Sequence, residues 1–407
     1  MKWVSALSTE PSLEAAVKEV VEQAQQRLQA PADLALIFVS AAFASEHSRL
    51  MPLLKEYLSV PALIGCSGGG VVGVDIDGTI QEIEDGAALS LSLAHLPGVE
   101  VQTFHLLEDD LPDLDGSPNE WSELIGVTPE AKPHFVLLCD SMSSETRDLL
   151  PGLDYAYPDA VKVGGLATGG SAMGNALFCD FELHREGTVG VALSGNVVLE
   201  AIVAQGCRPI GQPYRVVEGD RNIMLKLEEQ QGALEDPNGD FCTPLEALQA
   251  IYQELDDEEQ ELAQHSLFVG VAQSEFKLQL EQGDFLIRTM LGVDPRVGAI
   301  AIGDRVRPGQ RIQFHLRDAD ASAEDLKALL RRYRQQHSEV SPTGALMFAC
   351  MGRGEELYDE PNYDSDLFHH HIPVPISGFF CGGEIGPVGN STFLHGYTSV
   401  FGICREP

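Results

Sequence analysis

The nine residues GCSGGGVVG at 65–73 align without a gap on GFFCGGEIG at 378–386. Gly65 falls on Gly378, Gly69 on Gly382, Gly70 on Gly383 and Gly73 on Gly386. Each stretch follows a short apolar segment that carries proline, VPALI in one case and PVPIS in the other. Glycine gives the backbone access to positive φ and lets another chain or a ligand come close. A chain that carries this device in both halves is constrained to a duplicated architecture. Each half also holds a buried strand and a helix ahead of its glycine-rich strand end. Strands outnumber helices, and several lie next to each other as hairpins. The fold class expected is therefore α+β: two related domains, 1–212 and 213–407, with mixed, mostly antiparallel sheets covered by helices and a pseudo-twofold cleft. A length of 407 residues suits two cores better than one.

Apolar spacing predicts a helix over 10–29, with Leu13, Val17, Val20, Val21, Ala24 and Leu28 on one face. DLALIFVSAAF reads as a buried strand, followed by a helix over 46–58. GAALSLSLAHL and VEVQTFHL read as strands joined at Pro97-Gly98. The acid- and proline-rich segment 108–133 reads as a loop, and HFVLLCDSM as another buried strand ahead of VKVGGLATGG. The pattern restarts after GCRPIG at 206–211. Residues 244–263 and 322–336 read as an acidic and a basic helix. After the strand GALMFACMGRG an acidic loop is expected, then the second glycine stretch and a last strand.

Twenty-six basic residues against 62 acidic ones give a net charge of −36. Such a surface repels phosphate backbones and anionic membranes, so nucleic-acid and membrane partners are not expected. The arginines of RRYR at 331–334 accordingly read as a solvated face. No apolar run is long enough for a signal peptide or a membrane span, and the eight cysteines form no CxxC or disulfide framework. A cytoplasmic location with reduced thiols follows as the expectation.

Several familiar patterns fail on context. Gly65–Gly69 matches G-x-S-x-G, and Gly68, Gly70 and Gly73 match G-x-G-x-x-G. Both motifs need a helix to follow, whereas VVGVDIDGTI alternates as a strand does. The histidines HHH at 369–371 have no second ligand pair at metal-site spacing, so neither a metal nor a cofactor is expected. What remains is Arg353, between Gly352 and Gly354, together with Glu384 beside Gly382 and Gly383. A guanidinium can grip a carboxylate with two parallel hydrogen bonds. Glu384 has two readings: it receives a ligand's ammonium, or it pairs with Arg353 as a brace for tight turns.

At these residues the sequence resembles the FIST family, named for F-box and intracellular signal transduction proteins. LIGCSGGGVVG, VKVGGLATGG, GCRPIGQPYRV, FACMGRG and GFFCGGEIGPVGNSTFLHGYTS stand in family order. The resemblance implies an N-terminal FIST domain followed by a FIST C domain. It also implies a sensory module that binds a small ligand, amino acids being the class suggested. The first block departs from the family by having Gly70-Val71-Val72 where Gly-Glu-Ile is usual, so the acid stands only in the second copy. The function expected is a stand-alone cytoplasmic sensor. It binds a small polar metabolite in a glycine-lined cleft and signals through a separate protein, because the two domains leave no room for an output module. Arg353, Glu384, Gly352, Gly354, Gly382, Gly383, Cys66 and Cys381 would line that cleft, with no catalytic residue among them. The rival readings are a cysteine-dependent enzyme using Cys66 or Cys381 and a protein-binding scaffold.

Overall fold

The computed structural model of the chain describes residues 1–143, 146–169, 174–230, 240–273, 277, 280, 283–337 and 341–407. Two compact units emerge. One comprises Met1–Ala204 with Lys327–Pro407, the other Gln205–Leu326. The larger unit is discontinuous in sequence, with the smaller one inserted between Ala204 and Lys327.

The α+β reading holds, and the repetition goes one step further than two copies. The larger unit contains the same succession three times: strand, helix, strand, helix, strand, hairpin, strand. Copy 1 runs Lys2–Ser8, helix Leu13–Leu28, Leu34–Ser40, helix His47–Tyr57, Ala62–Gly68, the hairpin Val71–Val74 and Ile80–Ile83, then Leu89–His95. Copy 2 runs Val99–Leu106, helix Pro118–Ile125, His134–Asp140, helix Thr146–Ala156, Lys162–Ala167, the hairpin Leu177–Cys179 and Glu182–His184, then Thr188–Gly195. Copy 3 opens with Val198–Ala204 and resumes, after the smaller unit, in the helix Ala319–Gln336. It continues through Gly344–Cys350, helix Tyr363–His371, Ile376–Cys381, the hairpin Glu384–Val388 and Ser391–His395, and Ser399–Arg405.

Each copy builds a sheet in the order first strand, last strand, second, third, and each sheet is completed by another copy's hairpin. Copy 2 lends its hairpin to copy 1, copy 3 to copy 2, and copy 1 to copy 3, so the exchange closes on itself. Within each sheet only the second and third strands are parallel. That pair needs a crossover helix, and His47–Tyr57, Thr146–Ala156 and Tyr363–His371 are the helices that supply it. LALIFVS is buried at every position, HFVLLCD and GALMFAC at all but one end residue, as strands covered on both faces require. One core draws on all three copies, including Phe38, Val136, Leu138, Phe348 and Phe379, with Phe38 and Phe379 stacked at 5.3 Å.

The smaller unit is a barrel. Strands Cys207–Asp220, Arg311–Arg317, Leu267–Ala272, Phe285–Asp294, Ala299–Ile302 and Ile223–Glu229 pair in that order, all antiparallel, and the last pairs back onto the first. Closure removes the free edges that would otherwise recruit another strand. Val216, Leu227, Val269, Ile300, Ile312 and Phe314 fill its interior. Helices Pro244–Glu254 and Asp257–Ala263, each opened by a capping box, correspond to the expected acidic helical segment.

Two segments differ from the sequence-based expectation. Within 108–133 the residues Pro118–Ile125 form a helix, capped by Ser117 and Glu120 and burying Trp121 and Ile125. The acidic stretch after Arg353 is not a loop either: it holds the helices Glu355–Tyr358 and Tyr363–His371. Among the described residues no helix is long and apolar enough to cross a membrane.

Candidate functional site

The glycine-rich stretches grip one another. In each copy one glycine of the third strand lies opposite the second strand: Gly65 at Ile37, Gly164 at Leu137 and Gly378 at Met347. A Cβ there would come within 2.2, 1.8 and 1.8 Å of the opposite carbonyl oxygen, so no larger residue fits without moving backbone. A few residues on, the copies are joined by backbone hydrogen bonds that repeat around the unit. Gly69 N–H donates to Phe380 O (2.9 Å), Gly382 N–H to Leu166 O (3.0 Å) and Thr168 N–H to Ser67 O (3.1 Å). The return bonds run from Phe380 N–H to Gly70 O (3.0 Å), Leu166 N–H to Gly383 O (2.8 Å) and Ser67 N–H to Ala176 O (2.9 Å). Residues 67–70, 166–169 and 380–383 are thus equivalent places in one ring. Gly170, which ends VKVGGLATGG, lies outside the described residues.

Arg353 is fully buried, and its partner is Asp364 rather than Glu384. Its Nε donates to Asp364 Oδ2 at 2.7 Å and its Nη2 to Oδ1 at 3.0 Å, the two-bond grip that a ligand carboxylate would otherwise receive. Nη2 also reaches the Tyr358 hydroxyl at 2.5 Å, and Ser399 Oγ donates to Asp364 Oδ2 at 2.6 Å. Burial alone would raise the Asp364 carboxyl, but the Arg353 charge and the hydrogen bonds from Arg353, Ser399 and Tyr358 outweigh it and hold it below its ordinary value. The flanking glycines serve the turn: Arg353 N–H closes on Cys350 O, and Gly354 sits at φ +75° against the Glu84 carboxylate. Glu82 lies beside this pair with Oε1 accepting from Ser365 N–H at 2.7 Å. Burial, and then the Asp364 charge, push its carboxyl up to about 8.

Glu384 is buried as well. Its Oε2 accepts from Thr398 N–H at 3.0 Å and its Oε1 from the Cys381 thiol at 3.4 Å. Burial drives the Cys381 and Cys66 thiols well above their ordinary value, with the Glu384 charge adding at Cys381 and Cys139 at Cys66. Both are neutral, enclosed thiols, the opposite of an activated nucleophile. Among the described residues no group of three or more His, Cys, Asp or Glu is placed to hold a metal.

The threefold repetition supplies a comparison that the sequence alone did not. Counting from the residue opposite each glycine, the sixth position is Phe43 in copy 1, Ser143 in copy 2 and Arg353 in copy 3. Phe43 and Arg353 are buried. Ser143 instead lines a cavity of about 260 Å³, with Leu107, Glu108, Asp109, Glu186 and Gly187 as the other lining residues among those described. Its Oγ donates to Asp140 Oδ2 at 3.1 Å and accepts from Gly187 N–H at 3.3 Å. Asp140 ends the second strand of its sheet, and Asn175 Nδ2 donates to its Oδ1 at 2.7 Å and to Ser141 Oγ at 2.8 Å. This cluster occupies the carboxyl end of a parallel pair, where ligand crevices of α/β sheets lie. The sequence carried one signal for it: HFVLLCDSM runs from unbroken apolar residues into Asp-Ser-Met-Ser.

Two family models match the chain: the FIST N domain over residues 33–230 and the FIST C domain over 245–387. An uncharacterized protein of Mycobacterium tuberculosis is 33% identical over 97% of each chain, and one of Mycobacterium bovis 31% identical over 96% of this chain and 95% of its own. A shorter match, 31% identical, covers 23% of this chain and 28% of the human F-box only protein 22. A crystal structure of a cyanuric acid hydrolase from A. caulinodans aligns over the full length of both chains at 9% identity, but its TM-score of 0.33 is too low to speak for fold or function.

Proposed function

As the chain belongs to the FIST family, whose domains are associated with signal transduction, we propose that it is a sensory protein whose copy-2 cavity binds a small metabolite bearing an ammonium group, an amino acid or a simple amine. The observation that carries this reading is the unequal burial of three residues that stand at the same count past the glycine contact. Two are large and buried, Phe43 and Arg353, and the third is a serine beside open space. At about 260 Å³ the space suits one small molecule and falls short of the roughly 300–1,000 Å³ of drug-sized pockets. Glu108, Asp109 and Glu186 on its wall favour a cation, as does a net charge of −36. Ser143, held between Asp140 and the Gly187 amide, offers a hydroxyl to a second polar group of the ligand. In this reading Arg353 and Glu384 keep the frame of copy 3 rigid and do not touch the ligand. The ring glycines Gly382 and Gly383 do the same.

The copies themselves suggest the test. Ser143→Phe installs the residue that copy 1 has at the same place and should fill the cavity. Calorimetry against a panel of amino acids and amines should give a ligand that the wild type binds and the Ser143→Phe variant loses while keeping its melting temperature. A ligand bound equally by both would put the site elsewhere and remove the assignment.

A further inference from the structure

The parallel strand pair of each copy ends on a different couple of residues. It is Ser40 opposite Gly68 in copy 1, Asp140 opposite Ala167 in copy 2 and Cys350 opposite Cys381 in copy 3. All eight cysteines carry reduced thiols. Among the described residues, Cys350 and Cys381 are the two that stand directly opposite each other on neighbouring strands. Opposite residues of a sheet share a face, and neighbouring strands lie about 4.7–4.9 Å apart. A disulfide needs its Cα atoms about 4.4–6.8 Å apart, so this register puts the two thiols within bridging range. Cys381 is fully buried. Its thiol reaches across to the neighbouring strand, 3.2 Å from the carbonyl oxygen of Ala349, the residue before Cys350, and lies 3.4 Å from Glu384 Oε1. Cys350 is only half-buried, and Met351 beside it is 51% exposed, so a small oxidant arriving from solvent meets Cys350 first.

We propose that Cys350 and Cys381 are a reversible redox pair, which a hydroperoxide closes into a disulfide at the end of the copy-3 strands. In the first step the Cys350 sulfur attacks one peroxide oxygen. The O–O bond breaks, the leaving oxygen takes the Cys350 proton, and Cys350 becomes a sulfenic acid. In the second step the Cys381 sulfur attacks the Cys350 sulfur, the S–S bond forms and the S–O bond breaks. The departing hydroxide leaves as water with the proton of the Cys381 thiol, which Glu384 Oε1 is placed to accept and pass on. Two thiols thus lose two electrons, and one hydrogen peroxide is reduced to two waters. Arg353 N–H donates to Cys350 O at 2.9 Å and Met351 N–H to Cys381 O at 3.2 Å. The bridge therefore adds a covalent tie to the turn that carries Arg353, and it takes the Cys381 thiol away from Glu384. The pair is independent of the cavity beside Ser143.

Treating the folded wild type with a small excess of hydrogen peroxide tests the proposal. Thiols are then counted with dithionitrobenzoate after unfolding, and a non-reduced digest is mapped by mass spectrometry. The expected result is the loss of two of the eight thiols, with the peptide carrying Cys350 linked to the one carrying Cys381 and released by dithiothreitol. Cys350→Ser should lose no thiol under the same treatment, and Cys381→Ser should hold Cys350 as a sulfenic acid that dimedone labels. Survival of all eight wild-type thiols overturns the proposal. So does a link through another cysteine or between two molecules, an oxidation that dithiothreitol does not reverse, the wild-type loss recurring in Cys350→Ser, or no dimedone label in folded Cys381→Ser. The digest is read on the wild type, so it decides the matter even where a variant fails to fold.

Discussion

Replacing Asp364 by asparagine tests what Arg353 is for. The wild-type guanidinium has no contact with solvent, and its two direct bonds to Asp364, at 2.7 and 3.0 Å, neutralise it in place. Asparagine keeps the shape of the side chain but removes the charge and one of the two acceptors. Arg353 cannot shed its proton in compensation, because a guanidinium stays charged in proteins. Leaving one member of a buried pair uncompensated costs about 3–5 kcal/mol. At roughly 2 °C per kcal/mol for a unit of this size, the melting temperature should fall by about 6–10 °C. Replacing both partners, Arg353→Met with Asp364→Leu, should recover most of the loss, since an apolar pair of similar volume often matches a buried ion pair. The assay is thermal denaturation of Asp364→Asn, and of Arg353→Met, Asp364→Leu and their double variant read as a cycle. A loss under about 1 kcal/mol for Asp364→Asn would mean that Arg353 behaves as an exposed arginine does. It would then be available to a ligand, and the bracing role would fail.

Two neighbours in the second glycine stretch should respond very differently to alanine. Gly378→Ala drives a Cβ to 1.8 Å from Met347 O, a backbone clash beyond the usual overpacking cost of about 1–3 kcal/mol, whereas Gly382→Ala meets only Thr168 Cγ2 at 3.0 Å and should cost about 1 kcal/mol or less by urea denaturation. Glu82 should make stability fall with rising pH: its carboxyl stands at about 8 in the folded protein against an ordinary value of 4.5, so the native state holds the extra proton between those limits. Glu82→Gln should therefore raise the melting temperature at pH 8 and change it little at pH 5, and equal effects at both would refute the burial of a neutral acid.

Apolar runs made much of the frame legible. LALIFVS, HFVLLCD and GALMFAC could only be covered strands, and the spacing of Leu13, Val17, Val20, Val21, Ala24 and Leu28 could only be a helix with one inward face. The threefold repetition escaped for two physical reasons. The ring segment of copy 2 keeps Gly164 and Gly169 at the spacing of Gly65 to Gly70 and Gly378 to Gly383, but Thr168 stands where the others have Gly69 and Gly382, because a main-chain ring constrains few side chains. The barrel also enters copy 3 between its first strand and first helix, which separates parts that belong together. Asp364 was missed because Asp359–Asp366 reads as charge for solvent. Only a helix starting at Tyr363 turns Asp364 and Phe368 inward while leaving Asp366, His369 and His370 outside.

The ring changes what glycine content signifies here. A backbone ring made of one segment from each copy forces close approach wherever the segments cross, so glycine at positions such as 65, 164 and 378 is demanded by closure whether or not a ligand exists. Glycine conservation of pattern within this chain therefore speaks for the frame. Function has to be sought where equivalent places differ in chemistry. At the sixth position past the glycine contact the copies carry an aromatic ring, a hydroxyl and a guanidinium. Two of these are held by packing or by a counter-ion, and replacing either leaves a void or an unpaired charge. Ser143 is the one with open space beside it, where a larger group finds room and gives up the hydroxyl's bonds to Asp140 and the Gly187 amide. Under the proposed function, a small residue at this place beside Glu108, Asp109 and Glu186 leaves that room to a guest.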